Sequence, residues 1–129
     1  MCFTPLCPFW EHSIVLAVRI IARNTLTRFI QSLEGHKDQR AVKTALQAWF
    51  QEVKRAEWKT SFDVKASYAN ASIVGAERVV FNIKGNAYRL VAAADYRRAI
   101  VFIKWLGTHK DYDAIDVRTV QYATEANQD

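Results

Sequence analysis

The sequence is poor in cysteine, proline and glycine, and it has no long hydrophobic run. Its 129 residues include two cysteines, two prolines and four glycines. The two thiols, Cys2 and Cys7, lie close together at the start of the chain, so they do not form the disulfide framework of a small secreted domain. No further ligand pair stands near them to complete a zinc site. A reducing cytosol is the simplest interpretation, and we expect a cytoplasmic protein.

Long apolar segments are absent as well. The run at residues 14–21 is short and is interrupted by Arg19, whereas a membrane-spanning helix needs about 20 apolar residues. No basic segment precedes this run, which argues against a signal peptide. We therefore expect no contact with a membrane. Histidine, aspartate, glutamate and cysteine do not recur at metal-ligand spacings, so we expect neither a metal nor another cofactor.

Apolar residues and positive charge are what the sequence has in abundance. Half of the residues are hydrophobic, enough to bury the core of one domain. The net charge is +5, which favours an anionic partner. The charge is uneven, because residues 78–110 hold seven Lys or Arg and one acid, a net of +6, while residues 111–129 hold five acids and one arginine, a net of −4. The acidic end either keeps the terminus solvated or folds back near the basic segment.

Two amphipathic helices are predicted in the first half of the chain, after a short strand at residues 18–23. Asn24 is a good N-cap for the first helix, which should end at Gly35, and Asp38 is a good N-cap for the second. Apolar side chains recur every three or four positions in both helices. They are Leu26, Phe29, Ile30 and Leu33 in the first, and Val42, Ala45, Leu46, Trp49, Phe50 and Val53 in the second. The helices should pack on each other and against a sheet.

The next segment predicts a short helical turn and a loop. Thr60 and Asp63 form a capping-box pattern that opens a turn reaching about Tyr68. Residues 70–75 are a loop or the lead-in to the second strand. The nearby Trp58, like Trp49, is expected in the core, because tryptophan is buried more often than it is exposed as a stacking platform.

Residues 78–113 carry the pattern of consecutive antiparallel strands. Three short runs rich in Val, Ile, Phe and Tyr are separated by turn-forming residues. Gly85 and Asn86 have the chemistry of a tight hairpin turn, since both tolerate positive φ. This turn predicts a register in which position 84 faces 87, 83 faces 88, 82 faces 89 and 81 faces 90.

Because side chains alternate between the two faces of a strand, this register separates a core face from a cationic face. The core face is expected to hold Val79, Phe81, Ile83, Tyr88, Leu90 and Ala92. The cationic face is expected to hold Arg78, Val80, Asn82, Lys84, Ala87, Arg89 and Val91. In the third run, Val101, Ile103 and Trp105 alternate with Ile100, Phe102, Lys104 and Leu106. Lys104 lies on the cationic face only if the turn at residues 95–98 pairs the third run with the second in the matching register. A sheet face with this positive charge suits a phosphate-bearing ligand.

Two segments in this region resemble a known family. Residues 78–91 read R-V-V-F-N-I-K-G-N-A-Y-R-L-V, and residues 107–116 read G-T-H-K-D-Y-D-A-I-D. Both resemble the HigB-type toxins of bacterial toxin–antitoxin pairs, which belong to the RelE/ParE superfamily of small β-sheet toxins. The likeness also includes Arg19-Ile20-Ile21, the helical segment at residues 48–59 and Ala71-Ser72-Ile73.

The resemblance covers roughly residues 18–117 and implies an α+β fold. Its expected element order is β-α-α-β-β-β with a short terminal helix, an antiparallel sheet packed on a two-helix hairpin. Residues 1–17 lie outside the likeness. We interpret them as a flexible N-terminal extension ahead of a single domain at residues 18–129, the alternative being a native, loosely packed arm.

The segment at residues 107–113 carries a second functional cluster. Thr108 followed by Asp111 is another capping-box pattern, so a helix should start directly after the last strand and offer free N–H groups to a phosphate. His109 and Tyr112 then lie three residues apart, on one side of this helix. Taken alone, the pattern is more typical of a capping turn with a surface histidine. The resemblance implies instead that it is the active edge of an RNA-cutting protein.

RNA cleavage without a metal needs a base for the 2′-OH, positive charge at the phosphate and an acid for the leaving 5′-oxygen. Arg89 and Lys104 can supply the charge, and His109, Tyr112 or a lysine can carry the protons. Arg89 equally fits a cross-strand partner of Asn82 that only solvates the sheet. The expected catalytic residues are Arg89, Lys104, His109 and Tyr112. The expected RNA-binding residues are Arg78, Asn82, Lys84, Asn86, Arg97, Arg98 and Lys110.

The resemblance therefore implies a toxin that is a metal-independent mRNA endoribonuclease. It would cut ribosome-associated message, inhibit translation and be neutralised by a cognate antitoxin. Two other functions stay open: a ParE-like toxin that acts on DNA gyrase and needs no catalytic residues, and a non-catalytic basic module that binds RNA or an acidic protein. The pairing of His109 with Tyr112 beside Arg89 and Lys104 favours the nuclease, because a binding module needs the charge but not that pair.

Overall fold

The computed structural model describes residues 18–75 and 77–121. In it, helices pack on a five-stranded sheet. In chain order the elements are β1 (Arg19–Ile21), α1 (Arg23–Ser32), α2 (Gln39–Lys54), α3 (Ser61–Ser67), β2 (Ser72–Val74), β3 (Arg78–Ile83), β4 (Tyr88–Asp95), β5 (Ile100–Thr108) and α4 (His109–Tyr112). The strands lie in the order β1-β5-β4-β3-β2. The expected extension at residues 1–17 lies outside the described residues.

The α+β class predicted from the sequence is confirmed, but the sheet differs from the expected one in two places. β2 forms within the segment expected as a loop or lead-in, and it pairs antiparallel with β3 at one edge. β1 runs parallel to β5 at the other edge, so the sheet is mixed and not wholly antiparallel. A strand of three residues carries too short a pattern to reveal its partner or its direction.

Both predicted helices form: the second has Asp38 at its N-cap, as predicted, but the first begins earlier than expected and ends at Ser32, not at Gly35. Only one residue, Ala22, separates β1 from α1, and it is the N-cap of the helix. α1 therefore begins at Arg23, and Asn24, the expected cap, lies inside it. α2 begins after Asp38, yet the Asp38 carboxylate makes no capping hydrogen bond. α3 has the predicted capping box between Thr60 and Asp63. Among the helices within residues 18–121, none is both long and apolar enough to cross a membrane.

The core lies between the helices and one face of the sheet. The six hairpin side chains predicted to face it are all at most 3% exposed: Val79, Phe81, Ile83, Tyr88, Leu90 and Ala92. The Phe81 ring lies 5.4 Å from Trp49, 6.2 Å from Trp58 and 5.1 Å from Tyr68 between centroids. Both tryptophans are buried, as predicted. Aromatic contacts of this kind add to the stabilisation from area burial.

The predicted hairpin register is confirmed, with Asn82 opposite Arg89. The turn itself differs in one respect. Its left-handed residues are Lys84 and Gly85, with φ of 53° and 64°, and not Gly85 and Asn86. Left-handed backbone costs a lysine about 1–2 kcal/mol, so the surroundings of Lys84 must hold it in place.

A β-bulge in β5 changes the predicted alternation of the third strand. Val91 pairs with Trp105 and Ala92 pairs with Ile103, which leaves Lys104 as the extra residue. Trp105 therefore lies on the opposite face from Ile103, contrary to the expectation that the two share a face. The β5 residues in the core are Val101, Ile103 and Leu106. Periodicity assumes an unbroken strand, so it misplaces every residue beyond a bulge.

The segment that follows α4 folds back onto the cationic face, where residues 117–120 contact Arg78. Arg78 donates from Nη1 to the carbonyls of Val117 at 3.2 Å and Val120 at 2.9 Å. Three apolar residues of this face are nearly fully buried: Val80, Val91 and Ala93. Near the β3–β4 turn, by contrast, Asn82 is exposed and Arg89 is half-buried. The cationic face thus has a covered end at Arg78 and an open end at Arg89.

We predict that Phe81→Ala lowers the free energy of unfolding by about 3–5 kcal/mol, the usual loss for a buried aromatic ring. Phe62→Ala removes the same atoms from a side chain that is 83% exposed, and it should change that free energy by less than about 0.5 kcal/mol. Urea denaturation followed by circular dichroism measures both variants. Equal losses would contradict the placement of Phe81 at the centre of the core.

Candidate active site

The open end of the cationic face brings three strands together around Arg89. Arg89 lies near the start of β4, opposite Asn82 on β3 and opposite Gly107 on β5. Its side chain is half-buried, while that of Asn82 is exposed. Arg89 therefore occupies the middle of this end of the sheet, where solvent still reaches its charge.

Two backbone carbonyls and an aromatic ring fix the guanidinium of Arg89. Its Nη1 donates to the carbonyl of Asn86 at 2.9 Å and more weakly to that of Tyr88 at 3.5 Å. Its Cζ lies 5.5 Å from the centroid of the Tyr112 ring, within range of a cation–π interaction. No carboxylate in the described ranges forms an ion pair with Arg89. The donors on Nε and Nη2 make no hydrogen bond to the described residues and can bind an oxyanion.

Trp105 and Gly107 build the aromatic wall of the site. The indole of Trp105 lies so close over Gly107 that a Cβ atom there would stand 2.5 Å from the ring. The same indole lies beside Tyr112, with centroids 6.4 Å apart and planes at 50°. Glycine at position 107 therefore lets Trp105 lie against the sheet and support the ring that contacts Arg89. Sequence reasoning missed this role because it placed Trp105 on the core face; the W-x-G spacing was the available signal.

His109 and Lys110 lie at the same end of the sheet. Thr108 Oγ1 accepts from the backbone N–H of Asp111 at 3.1 Å, which confirms the predicted helix start. The backbone N–H of His109 donates to the carbonyl of Ala87 at 2.9 Å, and the imidazole is exposed. α4 has only four residues, so its dipole adds little and the positive charge comes from the side chains. In the part of the chain that the structure describes, no three His, Cys, Asp or Glu side chains group as metal ligands.

Lys104 is not brought to Arg89. As the bulge residue it extends along the sheet, with Nζ 5.3 Å from the centroid of the Phe102 ring. Phe102 pairs with Ala93, four positions along β4 from Arg89, which corresponds to about 13 Å. Arg89 and Lys104, which we expected to bind the same phosphate, therefore lie apart on the cationic face.

The seven expected RNA-binding residues divide between the two ends of the hairpin. Asn82, Lys84, Asn86 and Lys110 are exposed at the open end, near the half-buried Arg89. Arg97 and Arg98 lie in the β4–β5 turn, about 23 Å away along the eight residues of β4. There Arg98 pairs with Asp95 at 3.6 Å. Arg78, also at the far end, is bonded to the segment that follows α4 as described above.

Asp38 ties the start of α2 to the turn that carries the site. Its Oδ2 accepts from the Tyr88 hydroxyl at 3.1 Å, and its Oδ1 lies 3.5 Å from Lys84 Nζ. Partial burial raises the pKa of Asp38, but the Tyr88 hydrogen bond and the electrostatic interactions with Lys84 and His36 outweigh it, so the pKa is lowered overall. For the buried Tyr88, burial and then the bond to Asp38 raise the pKa. This contact holds the strained Lys84 and fixes the turn next to Arg89.

Comparison with known protein families shows which family this chain matches. Residues 42–115 match the model of the HigB toxin family, described as the RelE-like toxic component of a toxin–antitoxin system. The match spans more than half of the chain, from within α2 to just beyond α4, so it includes the open end of the cationic face but not Asp38. No curated protein gives a significant match. The resemblance carried by residues 78–91 and 107–116 is thereby confirmed.

We predict that Gly107→Ala destabilises the protein by about 1–3 kcal/mol, because the added methyl group overpacks against Trp105. In a Trp105→Ala background the same substitution should cost much less, since the ring it meets is gone. The two changes should therefore be non-additive by at least about 1 kcal/mol in a double-mutant cycle measured by urea unfolding. Strictly additive losses would show that Gly107 is needed for another reason.

A second prediction concerns pH and the Asp38 anchor. Because the folded-state pKa of Asp38 is lowered, the ionised carboxylate stabilises the fold above its unfolded pKa near 3.9, and this contribution is lost as pH falls through the folded-state pKa. Asp38→Asn should lower Tm by a constant amount between about pH 5 and 7 and by progressively less below about pH 4. Glu34→Gln, at an exposed carboxylate, is the control. A Tm difference that does not shrink in acid would rule out the ionised anchor.

Proposed function

The chain belongs to the HigB toxin family of RelE-like toxic components of toxin–antitoxin systems, and on that premise we propose that it is an mRNA endoribonuclease. Its substrate is ribosome-associated message, whose cleavage inhibits translation in the cytoplasm. Family membership also implies a cognate antitoxin that neutralises the protein. The chemistry assigned below uses only side chains of the described residues.

The position of Arg89 is the observation that supports this function best. Its guanidinium is held against the Tyr112 ring at an open end of the sheet, and it has free donors but no carboxylate partner among the described residues. A fixed cation of this kind stabilises the extra negative charge that develops on the phosphate in the transition state. Arginine suits the task because its planar donors match phosphate oxygens in pairs. A residue that only solvated the sheet would not need this fixed orientation.

His109 and Tyr112 are the proton carriers in this proposal. The 2′-oxygen forms a bond to phosphorus as its proton passes to a base, and the bond to the 5′-oxygen breaks as that oxygen receives a proton from an acid. The products are a 2′,3′-cyclic phosphate and a 5′-hydroxyl, so no water or metal enters the balance. Histidine exchanges protons readily near neutral pH, and His109 is exposed next to the strand end that holds Arg89.

The remaining basic residues bind RNA outside the reacting phosphate. Lys84 and Lys110 flank the open end, and we assign them to neighbouring phosphates of the message. Lys104, on the bulge, adds positive potential along the cationic face rather than contact with the scissile phosphate. The same exposed charge is what an acidic segment of the antitoxin would cover, with an association rate that falls as salt screens it.

We predict that Arg89→Ala lowers the rate of message cleavage by about two to three orders of magnitude, the usual loss for one transition-state donor. Tyr112→Phe should also lower it while keeping the ring contacts with Trp105 and Arg89. Arg40→Ala removes an equal charge from the exposed surface of α2 and should leave the rate unchanged. The assay uses ribosomes programmed with a defined message and maps the 5′ ends of the products, with thermal unfolding of each variant as the control for folding.

Two outcomes would overturn the proposal. If Arg89→Ala and Tyr112→Phe both cleave at the wild-type rate, the catalytic site lies elsewhere. If the wild-type protein cuts no message but inhibits DNA gyrase, the protein acts as a gyrase-directed toxin, and if it does neither while binding RNA, it is a binding module.

A further inference from the structure

A cavity of about 340 Å³ opens beside the candidate active site, at the outer edge of β3. β2 pairs only with residues 78–80 of β3, so it leaves the rest of that strand edge uncovered. The loop that follows α3 passes this uncovered edge, and the cavity lies between the loop and the β3–β4 turn. Its walls include Ser67, Tyr68, Asn70, Phe81, Asn82 and Gly85.

The loop wall of the cavity is held in a fixed shape. Lys65 Nζ donates to two loop carbonyls, each at 2.7 Å. The Tyr68 ring packs edge-on against Phe81, and its hydroxyl donates to Glu52. Burial and then the bond to Glu52 raise the pKa of Tyr68, so the hydroxyl stays protonated and continues to donate. The cavity is therefore already formed before any ligand binds, as small-molecule sites usually are.

Two residues with amide side chains, Asn70 and Asn82, are among those that line the cavity. Both residues are exposed, and neither amide has a hydrogen-bond partner among the described residues. An amide presents one donor group next to one acceptor, the pattern that complements the edge of a nucleobase. Asn82 also lies directly opposite Arg89 across the hairpin, at a Cβ separation of about 5 Å. Asn82 thus lines the cavity and is the cross-strand neighbour of Arg89.

We propose that this cavity is the subsite for the nucleobase next to the scissile phosphate, and that Asn82, assisted by Asn70, reads the edge of that base. The proposal rests on the proposed RNA cleavage, in which Arg89 binds the phosphate. From a phosphate at Arg89, the neighbouring nucleoside reaches over β3 to the cavity. A volume near the lower limit of about 300–1,000 Å³ for small-molecule sites suits one base and not a stack of bases. The subsite accordingly sets the base preference of cleavage.

Binding is tested with the full chain and with short 2′-O-methyl oligoribonucleotides, which lack the attacking hydroxyl and cannot be cut. The ¹⁵N-labelled side-chain amides of Asn70 and Asn82 should shift on titration, while that of Asn24, exposed on α1, should not. Four oligonucleotides that differ at one base should bind with different Kd values. Asn82→Ala should reduce that discrimination by about fivefold or more, the effect of losing one bidentate base contact.

Two further variants make the test specific. A carboxylate only accepts hydrogen bonds, so Asn82→Asp should shift the preference toward guanine, whose N1–H and amino group present two adjacent donors, and away from uracil, whose edge carries two carbonyl acceptors. Asn24→Ala, the matched control, should keep the wild-type order of Kd values. Cleavage mapping with ordinary RNA should show the same change in base preference for Asn82→Asp.

The outcomes separate this subsite from the proposed chemistry. If the oligonucleotide shifts the Arg89 and Tyr112 signals but neither amide, or if Asn82→Ala keeps the full discrimination, the base does not enter the cavity and the inference fails alone. If both amides shift but ordinary RNA is not cut, the subsite stands and the cleavage proposal fails. If no signal of this end of the sheet shifts, both are overturned.

Discussion

The register of the β3–β4 hairpin, with Asn82 opposite Arg89, is the constraint on which the core and the candidate site both depend. A slip by one residue would turn every side chain of β3 to the other face. Phe81 would leave its three aromatic neighbours, at a cost of about 3–5 kcal/mol. A slip of β4 would likewise carry Arg89 into the core, where a buried, unpaired guanidinium is costlier still. The same hydrophobic pattern that builds the core therefore places Arg89, the proposed catalytic arginine, on the opposite face.

Two departures from regular strand geometry convert this face into a site. The bulge at Lys104 turns Trp105 onto the cationic face, and Gly107 leaves room for its indole against the sheet. Together they place an aromatic support under Tyr112, which in turn contacts Arg89. Bulges re-aim side chains in this way at functional sites. Without the bulge, Trp105 would point into the core and Arg89 would lose its aromatic neighbour's support.

The helical layer contacts the turn next to the site through the carboxylate of Asp38. Asp38, at the start of α2, joins Tyr88 and Lys84 across the turn, so the packing of the helices on the sheet also fixes the loop next to Arg89. Asp38 is the N-cap residue of α2, as residue type predicted, but its carboxylate does not make the usual capping hydrogen bond. The carboxylate prefers Tyr88 and Lys84 because folding brings a buried hydroxyl and a cation to it, partners that are fifty and forty-six positions away in the sequence.

The sequence by itself determined the α+β class, the helical stripes, the hairpin register and the family, because each depends on local periodicity, turn chemistry or a contiguous motif. It also predicted Arg89, His109 and Tyr112 as candidate site residues, because they lie within those motifs. Only the tertiary structure decided that Lys104 stands apart from Arg89, that Arg78 holds the segment that follows α4 and that Trp105 supports the site. A bulge, a parallel edge strand and a long-range carboxylate contact leave no periodic signal, since their energies come from residues distant in the chain. Contacts between side chains that are distant in the sequence therefore could not be predicted from the sequence.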